Sequence, residues 1–277
     1  MFSGASMSNA EQVTKILLEG ADGFIVKSDI SLDGETSIDQ VLIPKIMQFI
    51  GVRRGVDKTP DSQKEEVPKD IQAETKKKLK DIASSLDKTL VSAVLIGSST
   101  GGPDALKHIF DALKTNPKIP VFVVQHMPAL FTRYLAEQLT KSSILNIREA
   151  IDGEIVEPGM VYLAPGDYHM ELEREGFKTV IKLNQESKEC FVRPAVNKLF
   201  RTAANVYGDR CLAIVLTGMG SDGAEGAIEL KKRGAKIFVQ DKNTSVVWGM
   251  PGAVVEAGVE AEVMRLNEFS NLLDNVF

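Results

Sequence analysis

Residues 90–103 read LVSAVLIGSSTGGP, and this stretch decides the fold class. Leu90 to Ile96 is an apolar run of strand length broken by Ser92 alone, the pattern of a strand covered on both faces of a parallel sheet. A glycine-rich loop follows at once, and then a helical segment from Asp104 to Leu113. The same succession recurs downstream. Ile119 to Val124 is a buried strand leading into Gln125-His126-Met127-Pro128 and a helix over about 130–139. Leu212 to Leu216 leads into Thr217-Gly218-Met219-Gly220-Ser221-Asp222-Gly223 and a helix from about Ala224 to Lys232. Lys236 to Gln240 is a further strand, and Asn197 to Tyr207 reads as a helix. Shorter strands at 144–149, 161–164, 168–172 and 179–183 add an antiparallel edge to this reading. Alternating strands and helices predict an α/β fold, a doubly wound and mostly parallel sheet sandwiched by helices.

Upstream, the character of the chain changes. Half of residues 51–80 are charged, and no aromatic residue occurs between Phe49 and Phe110. Such a stretch buries too little to repay the entropy of ordering, so residues 51–86 read as a charged linker, its second half compatible with a solvated helix over 71–84. Before it, Val13, Ile16 and Leu17 share one face of a helix over 10–18, ADGFIVK at 21–27 reads as a short strand, and 38–50 as another helix weakened by Pro44. One strand and two helices in 50 residues make a poor independent core. Residues 1–50 are therefore expected to be part of a domain, and residues 87–277 a whole one.

Composition narrows the function classes. The 277 residues include 33 Lys+Arg against 38 Asp+Glu, a net charge of -5, which argues against a broad nucleic-acid surface. No apolar run approaches the ~20 residues of a membrane-spanning helix, and the first residues lack the basic and apolar regions of a secretion signal. Two cysteines form no disulfide framework and fit a reducing cytosol, while three histidines leave little for a histidine-rich metal site.

Three loops carry the chemistry, each directly after a parallel strand, where open α/β sheets place their sites. Gly97-Ser98-Ser99-Thr100-Gly101 fits the Gly-x-Ser-x-Gly pattern centred on Ser99. His126 ends a strand where an imidazole reaches the crevice. Asp222 lies among glycines, with the Met219 and Gly220 amides placed to donate to an oxyanion. Each loop also has a plain structural reading: a tight anion-binding turn, a structural histidine, an aspartate capping the helix that follows it. Together they supply the set that acyl transfer needs, with Ser99 as nucleophile, His126 as base and Asp222 orienting the imidazole. His108 reads as a surface or packing residue, and His169 as a residue lining the crevice.

The combination IGSSTGGP (96–103), VVQHMP (123–128), EAxDGExVxPGxVYLAPGDYH (149–169), RPAVNKLF (193–200), VLTGMGSDGA (215–224) and QDxxTSVVWGMPGAV (240–254) resembles the catalytic domain of the bacterial chemotaxis protein-glutamate methylesterases. The resemblance implies a cytoplasmic serine hydrolase that demethylates glutamate methyl esters on chemoreceptor helices, with some members also deamidating receptor glutamines. It implies no metal and no organic cofactor, and partners among methylated chemoreceptors and the chemotaxis histidine kinase, without nucleic acid or membrane insertion. The family's triad falls on Ser99, His126 and Asp222. Its oxyanion amide falls on Met219, Thr100 is a second candidate amide, and His169 and Arg193 fall near the site. Asn197 stands where many relatives have an aspartate.

Residues 1–50 resemble the last part of a response-regulator receiver domain, with Ser3 at the switch hydroxyl and Lys27 at the phosphate-contacting lysine. On that reading the phosphoacceptor strands lie upstream of Met1, and the chain as given is expected not to accept a phosphoryl group by the receiver route. Two rival readings of the whole stay open at this point: a non-catalytic receptor-binding module, and an anion- or nucleotide-binding enzyme with GSSTGG as a phosphate nest.

Overall fold

A computed structural model of the chain describes residues 2–3, 7–21, 25–26 and 91–277. The linker at 51–86, the helices expected over 38–50 and 71–84, and Lys27 lie outside the described residues.

The period-two alternation of the buried strands builds the fold. In β3 (Ala93–Ser98), Val94 and Ile96 face one core while Ala93 and Leu95 face another. β4 (Val121–Gln125), β6 (Met160–Leu163), β9 (Cys211–Val215) and β10 (Lys236–Gln240) repeat this two-sided burial, while the edge strands β5 (Asn146–Glu149) and β11 (Glu262–Met264) bury one residue each, Ile147 and Met264. They form one sheet in the order β11-β10-β9-β3-β4-β6-β5, and every pairing in it is parallel. On one face lie α2 (Gly102–Asp111), α3 (Phe131–Ser142) and α7 (Phe269–Val276), around Leu106, Phe110, Phe131, Leu135 and Phe269. On the other lie α4 (Val196–Val206), α5 (Ala224–Lys232) and α6 (Gly249–Glu256), around Leu199, Phe200, Leu230 and Met250. The chain is doubly wound, as the strand-helix alternation predicts.

The middle of the domain departs from expectation. β7 (His169–Glu175) and β8 (Lys178–Asn184) pair antiparallel with each other as a separate two-stranded sheet, not as an edge of the main one. Met170, Leu172 and Ile181 of this hairpin are buried with α4. An apolar helix face therefore covers them, and the main sheet ends at β5.

Near the N-terminus, β1 (Phe2–Ser3) runs parallel to β2 (Ile25–Val26), with α1 (Met7–Leu18) between them in the chain. Ser3 is in register with Val26, the residue before Lys27. α1 packs against α2 and α3 through Ala10, Val13, Leu17 and Leu18. Ile16, expected on that buried face, is 39% exposed.

The order of strands decides where a site forms. β3 has β4 on one side and β9 on the other, so the three motif-bearing loops leave adjacent parallel strands at the same carboxyl edge.

Candidate active site

Ser99 follows β3, and its amide donates to the Thr217 carbonyl at 3.0 Å, tying the first loop to the third. Behind it, Gln125 is almost wholly buried. Its Oε1 accepts from Ser98 Oγ at 2.7 Å, and its Nε2 donates to the carbonyls of Ser99 at 2.9 Å and His126 at 3.1 Å. The His126 amide donates to the Ser98 carbonyl at 3.0 Å. One side-chain amide thus holds the main chains of the serine and the histidine together. A Cβ on Gly102 would lie 2.0 Å from Gln125 Oε1, so only glycine lets the start of α2 pass this clamp.

The third loop is closed from below. The hydroxyl of Thr217, a buried residue, lies 2.9 Å from the Thr100 carbonyl and 3.2 Å from that of Val247, and its amide donates to Gln240 Oε1 at 2.8 Å. A Cβ on Gly218 would meet Ser99 Cβ at 2.8 Å and Met250 Sδ at 2.3 Å. Close approach of backbone to the serine is the reason for glycine there. Met219, the next residue, is 44% exposed on the rim.

Asp222 is the junction of the site. Its Oδ2 accepts from His126 Nε2 at 2.7 Å and from the Val196 amide at 2.6 Å, while its Oδ1 accepts from the Asn197 amide at 2.9 Å. The carboxylate therefore caps the N-terminus of α4, where free amides and the helix dipole favour a negative charge. It does not cap the helix that follows it. Asn197 does that instead: its Oδ1 accepts from the amides of Gly223 at 2.9 Å and Gly226 at 2.8 Å. Each helix start is held by a side chain from the other. With His126 Nε2 donating to Asp222, the ring nitrogen left as acceptor is Nδ1.

His169 and Arg193 support the site from outside. His169 is fully buried, with Nδ1 accepting from the Ala195 amide at 3.2 Å and Nε2 3.1 Å from the Ser187 carbonyl. Both ring nitrogens are engaged, so it braces the approach to α4 and does not line an open crevice. Arg193 donates to Asp167 Oδ1 from Nε at 3.1 Å and Nη2 at 2.6 Å, and to the carbonyls of Gln185 and Glu186 at 2.9 and 2.8 Å. Its guanidinium is a clamp on segment 185–193. His108 is exposed on α2.

These loops hold a hydroxyl, an imidazole–carboxylate pair and free amides at one sheet edge, and comparison with known proteins gives that arrangement a family. Residues 94–273 match the CheB methylesterase family. The chain belongs to the CheB methylesterase family. With the family come its reaction class, ester hydrolysis at protein glutamate residues, and its place in chemotaxis signalling. A protein-glutamate methylesterase/protein-glutamine glutaminase of Pyrococcus abyssi is 39% identical over 277 residues, covering 97% of this chain and 70% of that one. The protein of the same name from Maricaulis maris is 50% identical over 173 residues, covering 62% of this chain and 43% of that one. The crystal structure of the Thermotoga maritima CheB methylesterase catalytic domain superposes with a TM-score of 0.65 at 42% identity, covering 68% of this chain and 99% of that one. Among the described residues, no helix is long and apolar enough to cross a membrane.

The two thiols in this CheB-family chain differ in a checkable way. Cys211 is buried, and that burial pushes its thiol up to about 12. Cys190 is exposed as a residue, yet its sulfur lies 3.8 Å from Asn197 Nδ2, and desolvation first, then the charge of Asp222, push its thiol up as well. A raised pKa means less thiolate at neutral pH and slower attack. Iodoacetamide should therefore alkylate Cys190 alone in the native protein, with the midpoint of the rate–pH curve above the ~8.5 of a free thiol, and Cys211 only after unfolding. Mass spectrometry of protein quenched at successive pH values checks both; native labelling of Cys211 would contradict it.

Proposed function

We propose that this chain is a serine methylesterase acting on glutamate methyl esters of chemoreceptor cytoplasmic helices. The observation that carries the reading is the His126–Asp222 pair, fixed against the N-terminus of α4 beside the loop that holds Ser99.

In the first half-reaction, Ser99 Oγ attacks the ester carbonyl carbon and its proton passes to His126 Nδ1. The Nε2–H donated to Asp222 sets the tautomer that leaves Nδ1 free to accept, and the carboxylate stabilises the imidazolium that forms. The carbonyl oxygen becomes an oxyanion, which the amides of Met219 and Thr100 receive. Among the described residues neither amide has a protein acceptor. One such donor is worth about 2.7–4 kcal/mol of transition-state stabilisation in a serine hydrolase. Collapse breaks the bond to methoxide, which takes the proton from His126 and leaves as methanol. Water then attacks the glutamyl–Ser99 ester, gives a proton to His126, and releases glutamate as the proton returns to Ser99 Oγ.

The same acyl intermediate forms from a primary amide with ammonia as leaving group. Receptor glutamine is therefore a second substrate on this reading, in keeping with the double name of the Pyrococcus and Maricaulis relatives. On the receiver resemblance Ser3 and Lys27 are remnants of a switch, without the phosphoacceptor strands that would drive it; the parallel pairing of Ser3 beside Val26 is in keeping with that reading.

The test is methanol release from a methylated chemoreceptor cytoplasmic fragment, followed by gas chromatography against loss of methyl groups. One methanol per methyl group removed is the expected result. No release from several receptor fragments, by protein that a serine-directed phosphonate labels at Ser99, would overturn the substrate assignment.

A further inference from the structure

The segment between β8 and α4 contains a turn whose residues are wrong for its backbone. Glu189 and Val192 exchange both main-chain hydrogen bonds, at 3.1 and 3.0 Å, around a two-residue loop. The two loop residues, Cys190 and Phe191, both have positive φ, 50° and 66°. This is the geometry of a type I′ hairpin turn, which favours Asn-Gly because side chains with a Cβ clash there. Neither residue is asparagine or glycine. Phe191 is also 95% exposed, so no burial offsets the conformation. Strain of this kind persists where the surroundings hold it, and it concentrates at functional sites.

The surroundings do hold it. Glu189 pairs with Arg201 of α4, and two residues beyond the turn the Arg193 guanidinium is bound to Asp167. Cys190 Sγ rests on Asn197, the residue whose amide holds Asp222. The turn is therefore seated on the first turn of α4, beside the triad, with its aromatic ring directed to solvent. Met219, on the loop that carries Asp222, is also an exposed apolar side chain.

We propose that Phe191 is a substrate-docking residue: the Cys190–Phe191 turn holds its ring against the apolar side chains of the receptor helix that presents the methyl ester. The proposal rests on the methylesterase reading above. A glutamyl ester is attached to the body of a helix, so that body must lie across the rim when the ester reaches Ser99. A rigid aromatic ring anchors such a surface at little cost in side-chain entropy.

Phe191→Gly tests it without threatening the fold, because glycine relieves the strained position. The variant should show a Tm at or above that of the parent. KM for methylated receptor fragment should rise about tenfold, the size of a modest interface anchor, with kcat within about twofold. Hydrolysis of p-nitrophenyl acetate and phosphonate labelling of Ser99 should be unchanged, and Phe191→Tyr should keep the parental KM. An unchanged KM in a folded Phe191→Gly variant overturns the proposal. Loss of small-ester hydrolysis in parallel also overturns it, since the turn would then act by positioning Asp222. If the parent labels at Ser99 but releases no methanol, the receptor reading itself fails and the docking role falls with it.

Discussion

Ser99→Ala is expected to lower kcat for methanol release by at least about 10³-fold, the scale on which removing the nucleophile of a serine hydrolase acts. The substitution is clean in this structure. Ser99 is tied to the third loop by its amide, which donates to Thr217, and to Gln125 by its carbonyl, and alanine keeps both. Its Cβ, which is why Gly218 has no side chain, also remains. Stability should be unaltered, with the unfolding free energy from urea titration within ~0.5 kcal/mol of the parent, as for a change that removes no buried partner. KM, or the affinity for methylated receptor fragment, should stay within a few-fold, because the hydroxyl acts in the transition state and not in holding the helix. Single-turnover methanol release compared with fragment binding separates the two. Turnover equal to the parent would remove Ser99 from the mechanism.

Asp222→Asn should do two kinds of damage at once. The carboxylate accepts from three donors: the Val196 amide, the Asn197 amide and His126 Nε2. An asparagine side chain offers one acceptor oxygen, and its NH2 group would face donors. If the oxygen stays with the helix, His126 turns its acceptor nitrogen toward Nδ2 and presents the wrong tautomer to Ser99; a loss of about 10⁴ in kcat is the scale for that error. If it stays with the histidine, an α4 amide is left buried without a partner, at about 1–3 kcal/mol. Either way the start of α4 loses a cap, typically worth ~1 kcal/mol. The expected outcome is a large fall in kcat together with a lower unfolding midpoint, in contrast to Ser99→Ala. A variant as stable as the parent would mean that α4 does not depend on this carboxylate. Phosphonate labelling at Ser99, followed by the same unfolding experiment, reads both effects on one sample.

Local pattern already carried much of this domain. Long apolar runs such as Ala93–Ile96 and Leu212–Leu216 are legible because a strand buried on both faces needs nearly every residue apolar. The strongly two-faced helices α2 and α4 are legible by their 3.6-residue period. Where pattern was weak, reading stopped: β11 has three residues, two of them exposed, and α6 contains Pro251 and two glycines. Its apolar residues reflect burial against the sheet more than helix propensity, and tertiary packing overrides propensity at such places.

The candidate site divides along the same line. Ser99, His126 and Asp222 were legible because glycines and strand ends mark the carboxyl edge of a parallel sheet, and short-range chemistry suffices to see that. The sequence assigns Gln125 no role and marks Asn197 only as a departure from the aspartate of many relatives, since a buried amide takes its role from what it bonds, and those partners are 1–29 residues away in the chain. The position of His169 in its motif suggested the crevice, whereas its two hydrogen bonds place it in the support. Sequence alone determined the strand-loop-helix units and the types of group at their ends, because backbone geometry and burial act over a few residues. Only the tertiary structure decided that Asp222 caps α4 and not the helix after it, and that His126 meets it through Nε2. Those choices are made where chain segments far apart in sequence satisfy each other's buried donors and acceptors.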